Sequence, residues 1–516
     1  MLGCADGRGR PRTSEVDRPP RSSFWLTRFL ILRLLGLVYF VAFLSLAQQV
    51  LPLVGAHGLL PATTFLDRVR AHVASPLDGF LRVPSLFWLG VSDRALIWGA
   101  YAGTALSLLV LAGFANSILM AVLWALYMSF VHIGQDWYGY GWEIQLLETG
   151  FLAIFLCPLV DPRPFPRRPP PVAVVWLFRW LIFRIMLGAG LIKLRGDPCW
   201  RDLTCLYYHY ETQPIPNPLS RTLHFMPHWF QKAGVLFNDL AELGSPWFVF
   251  GPRAARHAAG AILVCFQIFL ILSGNLSFLN YLTIVPALAC FDDSWLSRVL
   301  PRALAMRAER SERAAVVSGA QQVVAGALVA LVAYLSIGPV ENLLSAEQAM
   351  NTSFDRFDLV NTYGAFGTVG RVRPEIVFEG TRDATITAST EWRAYEFKCK
   401  PGDPMRRPCF VAPYQPRLDW QIWFAAMSVP EEYPWTLHLV WKLLHNDPGA
   451  LSLLANDPFP GAPPRFIRAR LFRYRFTPPG DRSGAWWTRT EIRTWLPPLS
   501  ADDPRLERFL AAYGWD

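Results

Sequence analysis

Long apolar runs, interrupted by short polar stretches, fill the first two thirds of the chain. An α-helix needs roughly 20 apolar residues to cross the hydrocarbon core of a bilayer. The pattern predicts membrane-spanning helices at Phe29–Val50, Ala95–Gly113, Phe114–Gly134, Ile144–Val160, Val172–Leu194, Ala259–Gly274, Leu276–Phe291 and Val316–Ile337, with a weaker candidate at Val235–Phe250. We therefore expect the lipid bilayer to be a partner of this protein.

The distribution of arginine between the runs predicts their orientation. Arginines cluster before the first run, in the short loop Arg163–Arg168 and in the segment Arg298–Arg313. Because cytoplasmic loops are enriched in Lys and Arg, these segments are predicted to be cytoplasmic, so an even number of spans separates each from the next. Between the second and third of these segments the strong candidates give an odd number of spans, so the weak Val235–Phe250 segment is needed to make that number even. The prediction is a polytopic α-helical membrane protein of about nine spans, with five to nine open, a cytosolic N-terminus and a C-terminus on the opposite side.

The composition changes after Ile337, where apolar runs shorten and charged residues become frequent. Alternation typical of strands occurs at Glu375–Glu379, Arg393–Lys398, Phe466–Phe476 and Trp486–Ile492, and helical spacing at Trp435–His445 and Pro504–Ala512. This predicts a C-terminal extra-cytoplasmic domain of α+β or β-sandwich-like type. The predicted division is 1–28 as a disordered basic cytoplasmic tail, 29–194 as transmembrane helices, 195–234 as an outer loop rich in aromatic residues and Pro, 235–337 as the remaining transmembrane helices with a basic cytoplasmic loop at 298–313, and 338–516 as a globular domain.

Composition and missing motifs exclude several classes of protein. The chain is 52% hydrophobic and only 17% charged, and its net charge of +9 is too small for its length to indicate a nucleic-acid partner. It contains no G-x-S-x-G, no P-loop, no H-E-x-x-H and no C-x-x-C motif. Hydrolase, nucleotide-binding, metalloprotease and thioredoxin functions therefore lose their usual support, and we predict no cofactor.

Four of the eight cysteines fall on the predicted outer side: Cys199, Cys205, Cys399 and Cys409. If that side is oxidising, two local disulfides would close short loops and stiffen them. Free thiols and cross-pairing remain open, because sequence does not fix connectivity.

Charged residues inside apolar runs are costly and need partners. We predict a buried ion network that fixes helix register, with a structural role favoured over catalysis. Its predicted members are Glu143, Glu148, Arg179, Arg184 and Lys193.

The predicted outer loop is dense in aromatic side chains and prolines, which supply contact area at low entropic cost. Such a surface could bind a protein client or lie on lipid headgroups, and both interpretations stay open. The predicted client-binding residues are Trp200, Tyr207, Tyr208, Tyr210, Phe225 and Trp229. His224 and His228 have helical spacing, but Pro227 stands between them and no third ligand is evident, so no metal site is predicted. Asn351 lies in a glycosylation sequon on the predicted outer side.

Several long segments together resemble the lipase maturation factor family. They include WYGYGWEIQLLETGFLAIFLCPL, FRWLIFRIMLGAGLIKLRGDPCWRDLTCLYYHYETQPIPNP, VNTYGAFG and YEFKCKPGDPMRRPC, and the resemblance extends from Phe24 to Trp515. It implies a multi-pass protein of the endoplasmic reticulum membrane with a luminal C-terminal domain. Its implied role is non-covalent help in folding, dimer assembly and secretion of lipases such as lipoprotein lipase, with other folding or quality-control factors as further partners. In a bacterial source the location would be the inner membrane with a periplasmic C-terminus.

A second, shorter resemblance supports an alternative. The segment AGLIKL, which contains Lys193, is similar to the transmembrane domain of vitamin K-dependent carboxylases, where a lysine acts as a base. The alternative is a membrane-embedded enzyme with Lys193 as base and His209 or His132 nearby.

Overall fold

The computed structural model describes residues 23–515, and the predicted tail up to residue 22 lies outside the described residues. The first helix begins at Trp25, so the predicted tail boundary at residue 28 is too late. The helices are α1 Trp25–Val54, α2 Ala62–Ala71, α3 Pro76–Arg82, α4 Asp93–Ala112, α5 Ser117–Ile133, α6 Gly141–Leu156, α7 Val172–Gly196, α8 Pro198–Arg201, α9 Leu206–Thr212, α10 Pro218–His224, α11 His228–Asp239, α12 Arg253–Ser273, α13 Leu279–Ala287, α14 Asp293–Val299, α15 Arg302–Arg313, α16 Gly319–Leu335, α17 Ile337–Leu344, α18 Arg417–Ala425, α19 Trp435–Leu444, α20 Pro448–Ser452 and α21 Pro504–Tyr513.

Five helical segments in the described part of the chain are long and apolar enough to cross a membrane. They are α1, α4, α7, α12 and the continuous stretch of α16 and α17. Two shorter apolar helices, Ser117–Ile133 and Leu279–Cys290, correspond to further predicted spans. The prediction of a polytopic helical protein is thus confirmed. The five long segments equal the lower bound of the predicted five to nine spans.

One end of the helical bundle, which we call the basic end, gathers the arginine-rich loops. The carboxylate of Asp293 accepts hydrogen bonds from the backbone N–H groups of Trp25 and Leu26, both at 2.8 Å. Two backbone hydrogen bonds at the same end run from Ala115 N to Pro162 O and from Val316 N to Arg167 O, both at 3.0 Å. The start of α1, the turns after α4 and α6, and the approach to α16 therefore meet at this end.

The opposite end, which we call the capped end, is covered by residues 345–515, the cap. Asn275, in the turn after α12, donates from Nδ2 to Cys409 O at 2.9 Å, and its Oδ1 accepts from Val411 N at 2.9 Å. Near the end of α7, Arg195 donates to Gln348 Oε1 at 2.7 Å. Among residues 23–515, nine segments run alternately between the two ends: α1, α4, α5, α6, α7, residues 235–250, α12, α13 and α16.

The segment 235–250 is the irregular member of this set. It continues from α11 into a π-helical turn at Leu240–Gly244 and a 3₁₀ turn at Ser245–Phe250, where Pro246 interrupts regular α-helix. Phe250 stacks on Trp176 with ring centroids 5.9 Å apart, near the start of α7 at the basic end.

The cap is built on a single four-stranded antiparallel sheet in the order β2-β1-β3-β4. The strands are β1 Arg373–Thr381, β2 Arg393–Ala394, β3 Phe466–Phe476 and β4 Trp487–Ser500. In β3, Ile467, Ala469 and Leu471 are buried on one face, and Phe472, Tyr474 and Phe476 are buried on the other. The two halves of the strand therefore bury alternate residues on opposite faces of the sheet. Helices α18 and α19 complete an α+β region, so the β-sandwich alternative is not what residues 345–515 form.

The predicted outer loop, residues 195–234, is helical rather than irregular. It contains α8, α9, α10 and most of α11. Its prolines act as helix starters: Pro198 and Pro218 occupy the first helical positions, and Asn217 caps α10 through the N–H groups of Leu219 and Ser220. The prolines that suggested a rigid loop therefore mark helix boundaries.

Candidate functional site

The segment 195–234 is bonded to the cap along its length. Asp197 forms an ion pair with Arg371 at 2.9 Å, and Arg221 donates from Nε to Thr477 O at 2.9 Å. Arg373, which is fully buried, donates from Nη2 to Pro214 O at 2.9 Å. The segment and the cap therefore form one continuous surface.

Both predicted local cysteine pairs are disulfides in the structure. Cys199 and Cys205 have Cα atoms 4.8 Å apart, and Cys399 and Cys409 have Cα atoms 5.5 Å apart. The donor atoms of Asp197, Cys199 and Cys205 lie within 4.8 Å of one another, which is close enough for a metal site. The disulfide, however, removes the two thiolates that such a site would need.

Two of the six predicted client-binding residues are in the interior, so that part of the prediction is wrong. Trp200 is 3% exposed and donates from Nε1 to Phe366 O at 2.9 Å, and Tyr210 is 1% exposed. Both belong to a small core with the Cys199–Cys205 disulfide. Aromatic density in the sequence did not distinguish these core side chains from surface ones.

The other four predicted residues reach the surface, and we call them the aromatic patch: Tyr207, Tyr208, Phe225 and Trp229. Trp229 is 70% exposed and Phe225 is 37% exposed. Tyr207 stacks on His228, with ring centroids 4.2 Å apart, beside Trp229 in the chain. Large apolar side chains this exposed, on a surface held by ion pairs, are typical of an interaction site.

The charged residues of the bundle form separate clusters rather than the single predicted network. In the first cluster, Arg184 is ion-paired with Glu148, and both are almost completely buried. Glu148 also accepts from Tyr363 Oη at 2.7 Å and from Asn361 N at 3.0 Å. This cluster joins α6 and α7 to the cap.

The second cluster pairs Glu143 with Arg417 of α18 at 2.8 Å, with both side chains fully buried. Tyr127 donates a hydrogen bond to the same carboxylate. Arg179, by contrast, donates to the carbonyl of Ala289 at 2.9 Å and has no carboxylate partner among the described ion pairs. The sequence did not suggest Arg417, although an arginine in the first turn of a strongly apolar helix is a signal that it needs a partner.

The third cluster surrounds Lys193. Its Nζ donates to Glu242 at 2.6 Å and to Asn238 at 2.7 Å, and it lies 4.8 Å from the ring centroid of Trp200. Glu242 and Asn238 thus both accept from the Lys193 side chain, and this cluster joins α7 to the segment 235–250.

The histidines of the enzyme alternative do not complete a catalytic group. Burial lowers the pKa of His209 to about 4, with Lys193 contributing, and its ring packs edge-on against Phe366 at 4.8 Å. His132 lies against Asp358, with Nε2 3.4 Å from Oδ2. His224 and His228, the candidate metal face, also have separate neighbours, because His224 contacts Glu211 and His228 stacks on Tyr207.

The chain has two glycosylation sequons, Asn275-Leu-Ser and Asn351-Thr-Ser, and they are in different environments. Asn275 is 1% exposed, and its side chain is bonded to the cap as described above. Asn351 is half-buried, and its Oδ1 accepts from Gly364 N at 3.2 Å. Glycosylation of Asn351 stays a prediction.

A cavity of about 700 Å³ lies between the bundle and the cap. Its apolar lining includes Phe266, Trp142 and Trp420, and its polar lining includes Gln267 and Asn280. Asn280 Nδ2 donates to Gln267 Oε1 at 2.8 Å, which fixes α12 against α13 on one wall.

Comparison with known proteins identifies both halves of the chain. A family model described as the lipase maturation factor transmembrane domain matches residues 26–298. A second, described as the lipase maturation factor C-terminal domain, matches residues 359–497. No solved structure matches the chain.

Full-length relatives agree. Lipase maturation factor 1 of Bos taurus is 50% identical, over 97% of this chain and 93% of that protein. Lipase maturation factor 1 of Homo sapiens is 47% identical, over 96% and 91%. Lipase maturation factor 2 of Gallus gallus is 30% identical, over 97% and 84%. With both family models matching and relatives of this similarity, the chain belongs to the lipase maturation factor family.

Proposed function

We propose that this protein is a membrane-bound factor that assists the folding, dimer assembly and secretion of lipases. The observation that carries the proposal is the 50% identity, over nearly the whole chain, to a protein named for lipase maturation. No chemical step is required. The charged side chains that resemble catalytic groups in the sequence are bonded to other side chains of the protein, as Lys193 is to Glu242.

The aromatic patch is the proposed client-binding surface. Trp229, in α11, and Phe225, directly after α10, expose apolar area beside the cap. The Cys199–Cys205 disulfide and the Asp197–Arg371 ion pair hold the segment in place. A lipase subunit that has not yet met its partner exposes an apolar interface, which such a surface can cover. Release follows when the partner subunit buries that interface more favourably.

The proposed topology has nine crossings, with the basic end in the cytosol and the capped end in the lumen of the endoplasmic reticulum. Two observations support it. The two described arginine-rich segments, Arg163–Arg168 and Arg298–Arg313, lie at one end beside the start of α1, as the preference of cytoplasmic loops for Arg and Lys requires. Both disulfides lie at the other end, and disulfides persist in oxidising compartments.

The test is rescue of lipase secretion. Cells that lack their own lipase maturation factors would express lipoprotein lipase together with this chain, and secreted lipase activity would be measured per amount of factor. We expect Trp229→Ala combined with Phe225→Ala to lower that activity several-fold, because the exposed apolar area is lost without disturbing a buried contact.

The matched control is Trp247→Ala. Trp247 is 61% exposed but belongs to the irregular segment that ends near the basic end. It should leave rescue unchanged. Full rescue by the double variant, or equal loss with the control, would place client binding elsewhere.

A further inference from the structure

A second cavity, of about 590 Å³, lies at the basic end. It is bounded by the end of α6, the turn of residues 157–168 and the start of α16, and it lies at the opposite end of the bundle from the aromatic patch. Helix α16 falls between the two regions that the family models match.

The polar side of this cavity carries a net positive charge. Arg163, Arg167 and Arg168 line it, together with a single carboxylate, Asp161. Asp161 is already occupied by Arg163, with an N–O distance of 2.6 Å. The Arg168 guanidinium donates to Val316 O at 3.2 Å, whereas Arg167 is exposed and its guanidinium has no partner within residues 23–515. A guanidinium offers five donors, so both retain N–H groups for an anion.

The cavity also contains a neutral donor without an acceptor. Gln321 lies in the first turn of α16, and its side-chain nitrogen is buried with no hydrogen-bond partner in the described part of the chain. A buried amide N–H that stays unpaired costs free energy, so such groups normally have an acceptor. The N-terminus of α16 adds a favourable potential for negative charge at the same place.

The remaining walls are apolar and continue onto the surface of the bundle. Leu159 is 68% exposed, Val160 is 66% exposed and Val324 is 49% exposed. Phe155 and Ala325 extend the apolar lining inward. The cavity therefore combines donors for an anion with a path for hydrocarbon.

We propose that this cavity binds one anionic phospholipid from the leaflet at the basic end. The headgroup phosphate lies against Arg167, Arg168 and Gln321, and an acyl chain follows Leu159 and Val324. Basic pockets between membrane helices bind anionic headgroups in this way. Free inorganic phosphate would satisfy the donors, but it would leave the apolar path empty.

The test uses the full-length protein purified in a neutral detergent, with bound lipid measured by native mass spectrometry and stability by thermal unfolding. Phosphatidic acid, phosphatidylcholine and inorganic phosphate are compared. We expect one phosphatidic acid per chain, together with a raised unfolding temperature, and no effect from the other two. Equal protection by phosphatidylcholine would overturn the anionic preference, and equal protection by inorganic phosphate would reduce the site to an anion site.

Two variants test the residues. Arg167→Gln removes an exposed guanidinium, and Gln321→Leu removes the orphan amide without a change of charge. Neither group has a side-chain partner among residues 23–515, so neither variant breaks a contact that the structure describes. Each should lower lipid retention about tenfold. The control Arg310→Gln changes the same charge on exposed α15 and should retain lipid. Equal loss in the control, or retention in both variants, would overturn the site.

Discussion

Two ion pairs, one at each end of the bundle, have opposite degrees of burial. At the capped end, Glu143 and Arg417 form an ion pair in which neither side chain is exposed. At the basic end, Glu309 and Arg313 are 60% and 81% exposed at a separation of 3.7 Å. A surface pair contributes about 0 to 1 kcal/mol, whereas removing one partner of a buried pair costs about 3 to 5 kcal/mol. The Glu143–Arg417 pair therefore tolerates little change, whereas the Glu309–Arg313 pair contributes little to stability.

The largest effect is expected from breaking the capped-end pair. Glu143→Ala leaves the Arg417 guanidinium buried without its counter-charge, so we expect a loss of about 3 to 5 kcal/mol and a marked fall in folded protein. Size-exclusion profiles and thermal unfolding in detergent would measure it.

Glu309→Ala is the matched carboxylate deletion at the basic end. It should change stability by less than about 0.5 kcal/mol, because both partners are solvated. Similar losses in the two variants would mean that the capped end is no more sensitive than the basic end.

A smaller effect is expected from opening the cap's own disulfide. Cys399 and Cys409 are ten residues apart, and replacing both by Ser releases a loop closure of about 2 to 3 kcal/mol. Limited proteolysis should then cleave the cap sooner while the bundle stays intact. Cys265→Ser, which changes an exposed free thiol on α12, should leave both unaffected. Unchanged cap proteolysis in the double variant would show that the ion pairs alone hold it.

The smallest expected effect is a pH dependence in the cap. Burial, together with the charge of Asp355, raises the pKa of Asp358 to about 7. Between the ordinary carboxyl pKa of about 4 and this value, the folded form binds more protons than the unfolded form. Stability contributed by this site should therefore rise as the pH is lowered from about 7.5 to 5.5, by about 2 °C in unfolding temperature.

Asp358→Asn imitates the protonated side chain and should remove that dependence while keeping a group against His132. Thermal unfolding of both forms at three pH values measures it. Buried histidines such as His209, whose pKa is about 4, lower stability over the same pH range, so the difference between the two curves is the readout. An identical dependence in the variant contradicts the assignment.

Helices and strands could be predicted because their signals are local. The apolar runs coincide with helical segments, and the alternation at Phe466–Phe476 coincides with β3 to the residue. The irregular segment 235–250 was predicted only because the arginine count required it. Local periodicity was thus sufficient to predict most of the helices and strands.

The candidate site could be predicted only in part, because burial and pairing depend on distant residues. The pairing of Glu148 with Arg184 spans 36 residues and follows from two charges in neighbouring helices. Glu143 instead pairs with Arg417, outside the bundle, and Lys193 pairs with Glu242 in the irregular segment. Trp200 and Tyr210 carry the same local signal as Trp229, so only tertiary packing separates core from surface.

The pairing of Glu143 with Arg417 also determines how late in translation this part of the bundle can be completed. The two residues are 274 positions apart, and a ribosome that adds about 5 to 20 residues per second needs roughly 15 to 55 seconds to cover that distance. Throughout this interval Glu143, in the nascent hairpin of α5 and α6, cannot yet pair with Arg417. Final assembly of these helices is thus a late event, completed only as the last fifth of the polypeptide emerges.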